Sequence, residues 1–314
     1  MSRLFALEGK RIWVAGHRGM VGSALVRLLS RENCEVLTVP RSEVDLRDQA
    51  ATRRWLVDTK PDAVIVAAAR VGGIAANSAS PVSFLYDNLM IEANVIEGAA
   101  RSGVEKLLLL GSTCIYPRDA QQPIREESLL TGPLEKTNEW YAIAKIAGIK
   151  LCQAYRQEQG LDFISAQPTN LYGPGDNYDL ETSHVLPALI RKAHEAKVNN
   201  ADSLTIWGSG NPLREFLHVD DLAEAVVFLL RNYSDALPVN IGSGEEFSIA
   251  DLAHLVSDTV GFEGPLAFDR SRPDGTPRKL ADLTRLHSLG WDNARPLKVG
   301  LQQTYESFLT TQGV

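Results

Sequence analysis

Five short runs in the first 170 residues are apolar on both alternating positions: "RIWVAG" (11–16), "CEVLTV" (34–39), "DAVIVAAA" (62–69), "KLLLLGS" (106–112) and "DFISAQP" (162–168). A strand with one face in water would alternate polar and apolar residues, so runs like these belong to a sheet covered on both sides. Helical periodicity fills the gaps, over 20–32, 46–59, 81–103 and 138–160. Asp45 is placed to cap the second of these helices, and Pro81 and Gly103 to start and end the third. Strand–helix alternation with right-handed crossovers predicts an α/β fold, a doubly wound parallel sheet of the Rossmann type.

Beyond residue 170 the pattern loosens into loops and prolines. "LTIWGSG" still reads as a strand, and "VDDLAEAVVFLLRNY" and "IADLAHLVSDTVG" as helices. We therefore expect a Rossmann domain from 1–170 plus about 216–243. A smaller C-terminal α/β substrate domain, from 171–215 and 244–314, would cover its mouth. A chain of 314 residues, 44% apolar and 23% charged, has the material for both.

The net charge of −7 gives no general attraction to nucleic acid or to an anionic membrane. No stretch approaches the roughly 18 apolar residues of a membrane helix. The N-terminus lacks an apolar core followed by a small-residue cleavage site. The three cysteines, Cys34, Cys114 and Cys152, are widely spaced and form no CxxC pair. That opposes a cysteine zinc site and a disulfide framework, and fits a reducing, cytoplasmic location with no metal.

"GHRGMVG" places Gly16, Gly19 and Gly22 between the first strand and the first helix. Gly16 permits the tight turn, Gly19 lets backbone N–H groups approach a pyrophosphate, and Gly22 lets helix and sheet pack closely. Their position after a buried strand and before an amphipathic helix makes this a strong dinucleotide-binding signal, with a glycine-rich turn that holds no ligand as the other reading. A ribose with a free 2′-hydroxyl calls for an acidic residue ending the second strand. The chain has "TVPRS" there, with Arg41, and Arg18 stands inside the glycine loop. Two guanidinium groups suit a 2′-phosphate, which predicts NADP(H) over NAD(H). Two solvated surface arginines are the other reading of the same residues.

"YAIAK" puts Tyr141 and Lys145 on one helical face, and Ser112 ends the fourth strand. A phenol with an ordinary pKa near ~10 needs a nearby cation to exchange protons efficiently around neutrality. Cys114 follows Ser112 by two residues. From position alone a packing cysteine and a reactive thiol both remain open.

The glycine turn, the strand-end serine and the YxxxK pair together resemble the extended short-chain dehydrogenase/reductase family. Further blocks resemble one branch of it: "AAARVGGIAAN", "GSTCIYP", "TNEWYAIAKIAGIKLC", "PTNLYGPGDN", "SHVLPALIRK", "WGSGNPLREFLHVDD" and "PDGTPRKLAD", spanning residues 15–282 with the glycine loop. Members of that branch epimerise C3 and C5 of GDP-4-keto-6-deoxy-D-mannose and reduce C4 with NADPH, giving GDP-L-fucose. The resemblance implies that Tyr141 is the general acid/base, that Lys145 lowers its pKa and holds the nicotinamide ribose, and that Ser112 binds the substrate oxygen. It implies Cys114 as base and His184 as acid for the epimerisations. It implies NADP contacts from Gly16, His17, Arg18, Gly19, Met20, Val21 and Gly22, from Arg41, Ala68, Leu110 and Gly111, and from Lys145, Pro168, Asn170, Leu171 and His184. Lys192, Trp207, Arg214, Asp274 and Lys279 would surround the GDP-sugar. The branch commonly has arginine at the position of Lys192, and lysine keeps the charge but loses the bidentate fork. From spacing alone Trp207 is equally a core aromatic, and Arg214 a structural ion-paired residue.

The chemistry is coherent. A ketone at C4 acidifies the C3 and C5 protons, and inversion needs a base and an acid on opposite faces. One oxyanion site can then serve both enolisation and reduction. The long helices over 81–103 and 138–160 resemble those that pair subunits in this family, which implies a homodimer. A nucleotide-sugar 4-epimerase or 4,6-dehydratase holding NAD, and a non-catalytic NADP-binding regulator, are the competing readings. The Cys114–His184 pair and the intact Ser112, Tyr141 and Lys145 oppose them.

Overall fold

In the computed structural model, residues 4–272 and 274–312 are described. The chain begins β1 (Arg11–Ala15), α1 (Met20–Leu29), β2 (Glu35–Leu37), α2 (Gln49–Thr59) and β3 (Ala63–Val66). It continues α3 (Ile74–Ala79), α4 (Pro81–Arg101), β4 (Lys106–Leu110), α5 (Glu139–Gln159) and β5 (Asp162–Pro168). Then come β6 (Asn170–Tyr172), α6 (Val185–Val198), β7 (Leu204–Trp207), β8 (Leu213–His218) and α7 (Val219–Asn232). The chain closes with β9 (Val239–Ile241), β10 (Glu246–Ser248), α8 (Ile249–Val260), β11 (Leu266–Asp269), β12 (Arg278–Lys279), α9 (Thr284–Leu289) and α10 (Leu297–Gln312).

Six parallel strands form the main sheet in the order β2-β1-β3-β4-β5-β9. The direction of winding reverses at β1, so a crevice opens beyond the carboxyl ends of β1 and β3. β3 and β4 are wholly buried, as their unbroken apolar runs require. One core joins the sheet to α1 and α7, and includes Leu25, Leu29, Ile65, Leu108, Val226 and Leu230. A second joins the opposite face to α2, α4 and α5, and includes Trp13, Leu56, Val95, Ile96, Leu107 and Ile149. A third core lies apart from the sheet, under α6, α8 and α10, around Tyr172, Leu189, Phe216, Leu252 and Leu301. There β8 pairs with β10, β12 and β6, while β7 pairs with β11.

Two local expectations change. Asp45 does not cap α2, because Arg47 takes its carboxylate at 2.6 Å; Asp48 caps the helix by accepting from the Ala51 N–H at 3.0 Å. The short helix α3 falls in a stretch rich in small residues, where no apolar period announces it.

Candidate active site

The site gathers at the carboxyl ends of the strands. Gly16 ends β1 at φ +92°, and a Cβ there would lie 2.6 Å from the Ala68 backbone that follows β3. At Gly22 a Cβ would meet the Gly16 carbonyl oxygen at 2.1 Å, so this residue sets how closely α1 approaches the sheet. Gly19 differs: a Cβ there would find only the Gly16 oxygen, at an ordinary 3.6 Å. The protein's own packing does not demand glycine at that position, so the cradle above it fits a ligand that does. The first turn of α1 carries no acidic residue, which suits an anion at its N-terminus. His17 and the exposed Arg18 complete the loop, and Met20 and Val21 open α1. Arg41 is also exposed, 3.5 Å from Asp45, whose carboxyl Arg47 already holds at about 2.

β4 ends at Leu110, and the buried Gln167 of β5 shapes the turn beyond it. Its Oε1 accepts from the Ser112 N–H at 2.9 Å, and a Cβ on Gly111 would collide with that oxygen. Ser112 then turns the chain: its Oγ accepts from the Cys114 N–H at 3.2 Å and starts a one-turn 3₁₀ helix over Thr113–Ile115. The two-residue spacing therefore puts both side chains on one short turn facing α5.

On α5, Lys145 is 2% exposed and donates to the Leu110 carbonyl at 2.9 Å. Its ammonium lies 5.7 Å from the centre of the Tyr141 ring. Burial, the nearby Cys114 and the nearby Glu92 all push the Tyr141 phenol well above its ordinary value.

Lys279 comes from a distant part of the chain. In the parallel pairing of β12 with β8 it lies opposite Arg214, and its Nζ donates to Cys114 Sγ at 3.1 Å. Burial works to raise the Cys114 thiol, but Lys279, the Ser112 hydroxyl and Arg214 outweigh it, and the thiol titrates below its ordinary value. His184 sits at the N-cap of α6. The residue keeps an exposed surface, and desolvation by its neighbours and then the Lys279 charge push its imidazole down. The segment before it is fastened by "VGG": the Gly73 N–H donates to Thr182 O at 3.0 Å, and a Cβ on Gly73 would lie 2.8 Å from Ser183 O.

A second cluster lies further out. Lys192 and Arg272 flank the half-exposed Trp207 ring at 4.5 and 4.8 Å. Asp274 spends both oxygens on Ser209, accepting from its N–H at 2.9 Å and its hydroxyl at 2.7 Å. The Asn170 amide donates to the Glu215 carbonyl at 2.8 Å, with Pro168 and Leu171 beside it in sequence. The buried Glu215 carboxylate accepts from Gly244 N–H at 2.8 Å and Ala281 N–H at 3.0 Å, which ties down the strand bearing Lys279.

Gln167, Glu215, Glu92 and Arg272 were not singled out from sequence. A glutamine inside a buried strand and a glutamate between Arg214 and "FL" are the visible signals for the first two. Among the described residues no group of three or more His, Cys, Asp or Glu could hold a metal ion.

A family model described as "NAD dependent epimerase/dehydratase family" matches residues 12–242. The chain belongs to this family. Within this NAD dependent epimerase/dehydratase family its likeness extends to enzymes named GDP-L-fucose synthase. One from Sinorhizobium fredii is 61% identical over 307 residues, covering 98% of each chain. Another, from Escherichia coli, is 50% identical over 316 residues, again covering 98% of each. The crystal structure of a GDP-L-fucose synthetase from Naegleria fowleri bound to NADP superposes with a TM-score of 0.91 at 30% identity, covering 100% of this chain and 98% of that one.

Proposed function

We propose that the protein is an NADP(H)-dependent GDP-L-fucose synthase. It inverts C3 and C5 of GDP-4-keto-6-deoxy-D-mannose and reduces C4. The observation that supports this most is the Cys114–Lys279 contact at 3.1 Å, one turn from Ser112 and facing Tyr141. A plain carbonyl reductase has no use for an activated thiol there, whereas an epimerase needs a base poised near neutrality.

In this reading the Ser112 and Tyr141 hydroxyls hold the C4 oxygen, which stabilises the enolate formed at each inversion. Cys114 removes a proton from carbon on one face, and His184 returns one from the other. NADPH, when bound, supplies the hydride that C4 receives. Tyr141 then gives its proton to the C4 oxygen, and Lys145 holds the nicotinamide ribose. Gly16, Gly19 and Gly22 cradle the pyrophosphate, and Arg18 and Arg41 receive the 2′-phosphate. Lys192, Trp207 and Arg214 line the way to the GDP-sugar, whose diphosphate charges meet Lys192 and Arg214 despite the net negative protein, while Lys279, expected beside the GDP-sugar, stands at Cys114 instead. Asp274 acts through Ser209, shaping the loop after Trp207.

The division into a cofactor part (1–170 with about 216–243) and a substrate part belongs to the same reading, with the substrate bound between them. A cytoplasmic, homodimeric enzyme also belongs to it. Val82 and Tyr86 on α4, and Trp140 and Ile143 on α5, are exposed large apolar side chains on two adjacent helices, a surface a second copy would cover. Among the described residues no helix is long and apolar enough to cross a membrane.

The test is direct. Protein is incubated with GDP-4-keto-6-deoxy-D-mannose and NADPH in deuterated water, and the product sugar is identified. GDP-L-fucose carrying deuterium at C3 and C5 is expected. A C4-reduced sugar without deuterium at either carbon would reduce the protein to a simple reductase.

A further inference from the structure

Directly behind Lys145 lies a carboxylate that none of the site motifs contains. Glu92, on α4, is 1% exposed, and its Oε1 is 2.7 Å from Lys145 Nζ. Apart from that ion pair, neither carboxylate oxygen has a hydrogen-bond partner among the described residues. The rest of its surroundings come from α5 and β4. A Cβ on Gly148 would lie 2.1 Å from Glu92 Oε2 and 3.0 Å from a Leu109 methyl, so only glycine leaves room for the carboxylate. Tyr141, Lys145, Gly148 and Cys152 recur at helical spacing on the face of α5 that meets α4.

A buried carboxylate with one cationic partner is costly to keep unless it does something for the site. We propose that Glu92 is a positioning residue of the reduction: it pins the Lys145 ammonium against the Leu110 carbonyl and so fixes where that ammonium stands beside the Tyr141 ring. The proposal rests on the reading of Tyr141 as the acid at C4.

The groups that face Tyr141 are few. Lys145 lies on its own helix, Glu92 on α4, and Cys114 on the turn after β4, with Lys279 and Arg214 behind Cys114. Burial, then Cys114 and Glu92, raise the phenol, and burial raises the Glu92 carboxyl itself against the pull of Lys145. Glu92 also faces Cys152, whose thiol is raised by burial and then by this carboxylate.

Glu92→Gln and Glu92→Asp are compared with the parent enzyme. One readout is the split of kcat against KM for NADPH oxidation with the keto-sugar. The other needs no substrate: NADPH affinity by fluorescence titration, because Lys145 also holds the nicotinamide ribose. In Glu92→Gln kcat should fall and NADPH should bind more weakly, each by about tenfold or more, while Glu92→Asp stays near the parent. Unmoved kcat and affinity in Glu92→Gln, or identical behaviour of the two variants, overturns the proposal. Failure of the parent to turn over the keto-sugar would instead refute the proposed function, and the NADPH titration would still report on Glu92. If Glu92→Gln does not fold, Glu92→Met is titrated in its place. If neither folds, the carboxylate is a structural counter-ion and the proposal falls.

Discussion

Replacing Lys279 by methionine should silence the epimerisations before it touches the reduction. The ammonium sits 3.1 Å from Cys114 Sγ. At an effective dielectric of about 20, a charge pair at that distance is worth about 5 kcal/mol, or about 4 pKa units, as an upper bound. Nearby opposite charges shift a group by about 1–3 units in practice, and that is the range expected here. The protein supplies its own contrast. Cys152 is buried with no cation and with Glu92 nearby, and its thiol is pushed far above the ordinary range. Cys114 without Lys279 moves in that direction, though Ser112 and Arg214 remain to resist it. The thiolate population near neutral pH should drop by about tenfold to a thousandfold. Two assays read this. The rate of Cys114 alkylation by iodoacetamide, followed against pH by mass spectrometry, should shift to higher pH. Deuterium incorporation at C3 and C5 should slow far more than hydride transfer to a C4 ketone already bearing the product configuration. Lys279→Arg, which keeps the charge, should retain most of both. An alkylation profile in Lys279→Met that matches the parent would refute the idea that Lys279 activates the thiol.

Other outcomes rest on the same geometry. Replacing both Arg18 and Arg41 by alanine should lower the preference for NADPH over NADH on the order of tenfold to a hundredfold, the worth of one or two charge-assisted hydrogen bonds; unchanged relative affinities by fluorescence titration would exclude both from the 2′-phosphate. Gly22→Ala sets a methyl 2.1 Å from the Gly16 oxygen, and should abolish NADPH binding and lower the melting temperature. Asp176 has an Oδ2 without a partner, and burial pushes its carboxyl up to about 7. With the folded value above the unfolded one, its contribution is fully present below about pH 4 and is lost as pH rises through about 7. Asp176→Asn should therefore gain about 2–4 kcal/mol over the parent at about pH 8 and nothing below about pH 4, read by urea denaturation; an equal difference at both would count against it.

The elements that sequence reading placed best are those whose signals are local. The unbroken apolar runs mark β1, β3, β4 and β5 because burial on both faces removes alternation. The glycine loop is legible because Gly22 answers a contact inside the loop and Gly16 takes a positive φ, whereas the Ala68 backbone that crowds Gly16 comes from beyond β3. The cap of α2 was missed because Arg47, which competes for Asp45, also reaches Asp87 at 3.1 Å on another helix, and that anchor is invisible in a local window. Ser112, Cys114, Tyr141 and His184 were legible as residues to watch through the family's motifs, but not in their mutual arrangement.

By itself, then, the sequence determined the parallel sheet and the cofactor turn, since period and turn chemistry act over a few residues, while the side chains proposed to react came from the family's motifs. Only the tertiary structure decided what those side chains can do. Lys279 reaches Cys114 across 165 residues through the pairing of β12 with β8, and Glu215 holds that strand in place. Glu92 meets Lys145 because Gly148 lets α4 close on α5. Thiol, phenol and imidazole take their proton affinities from burial and from charges brought alongside by folding, and distance in space, not in the chain, sets both.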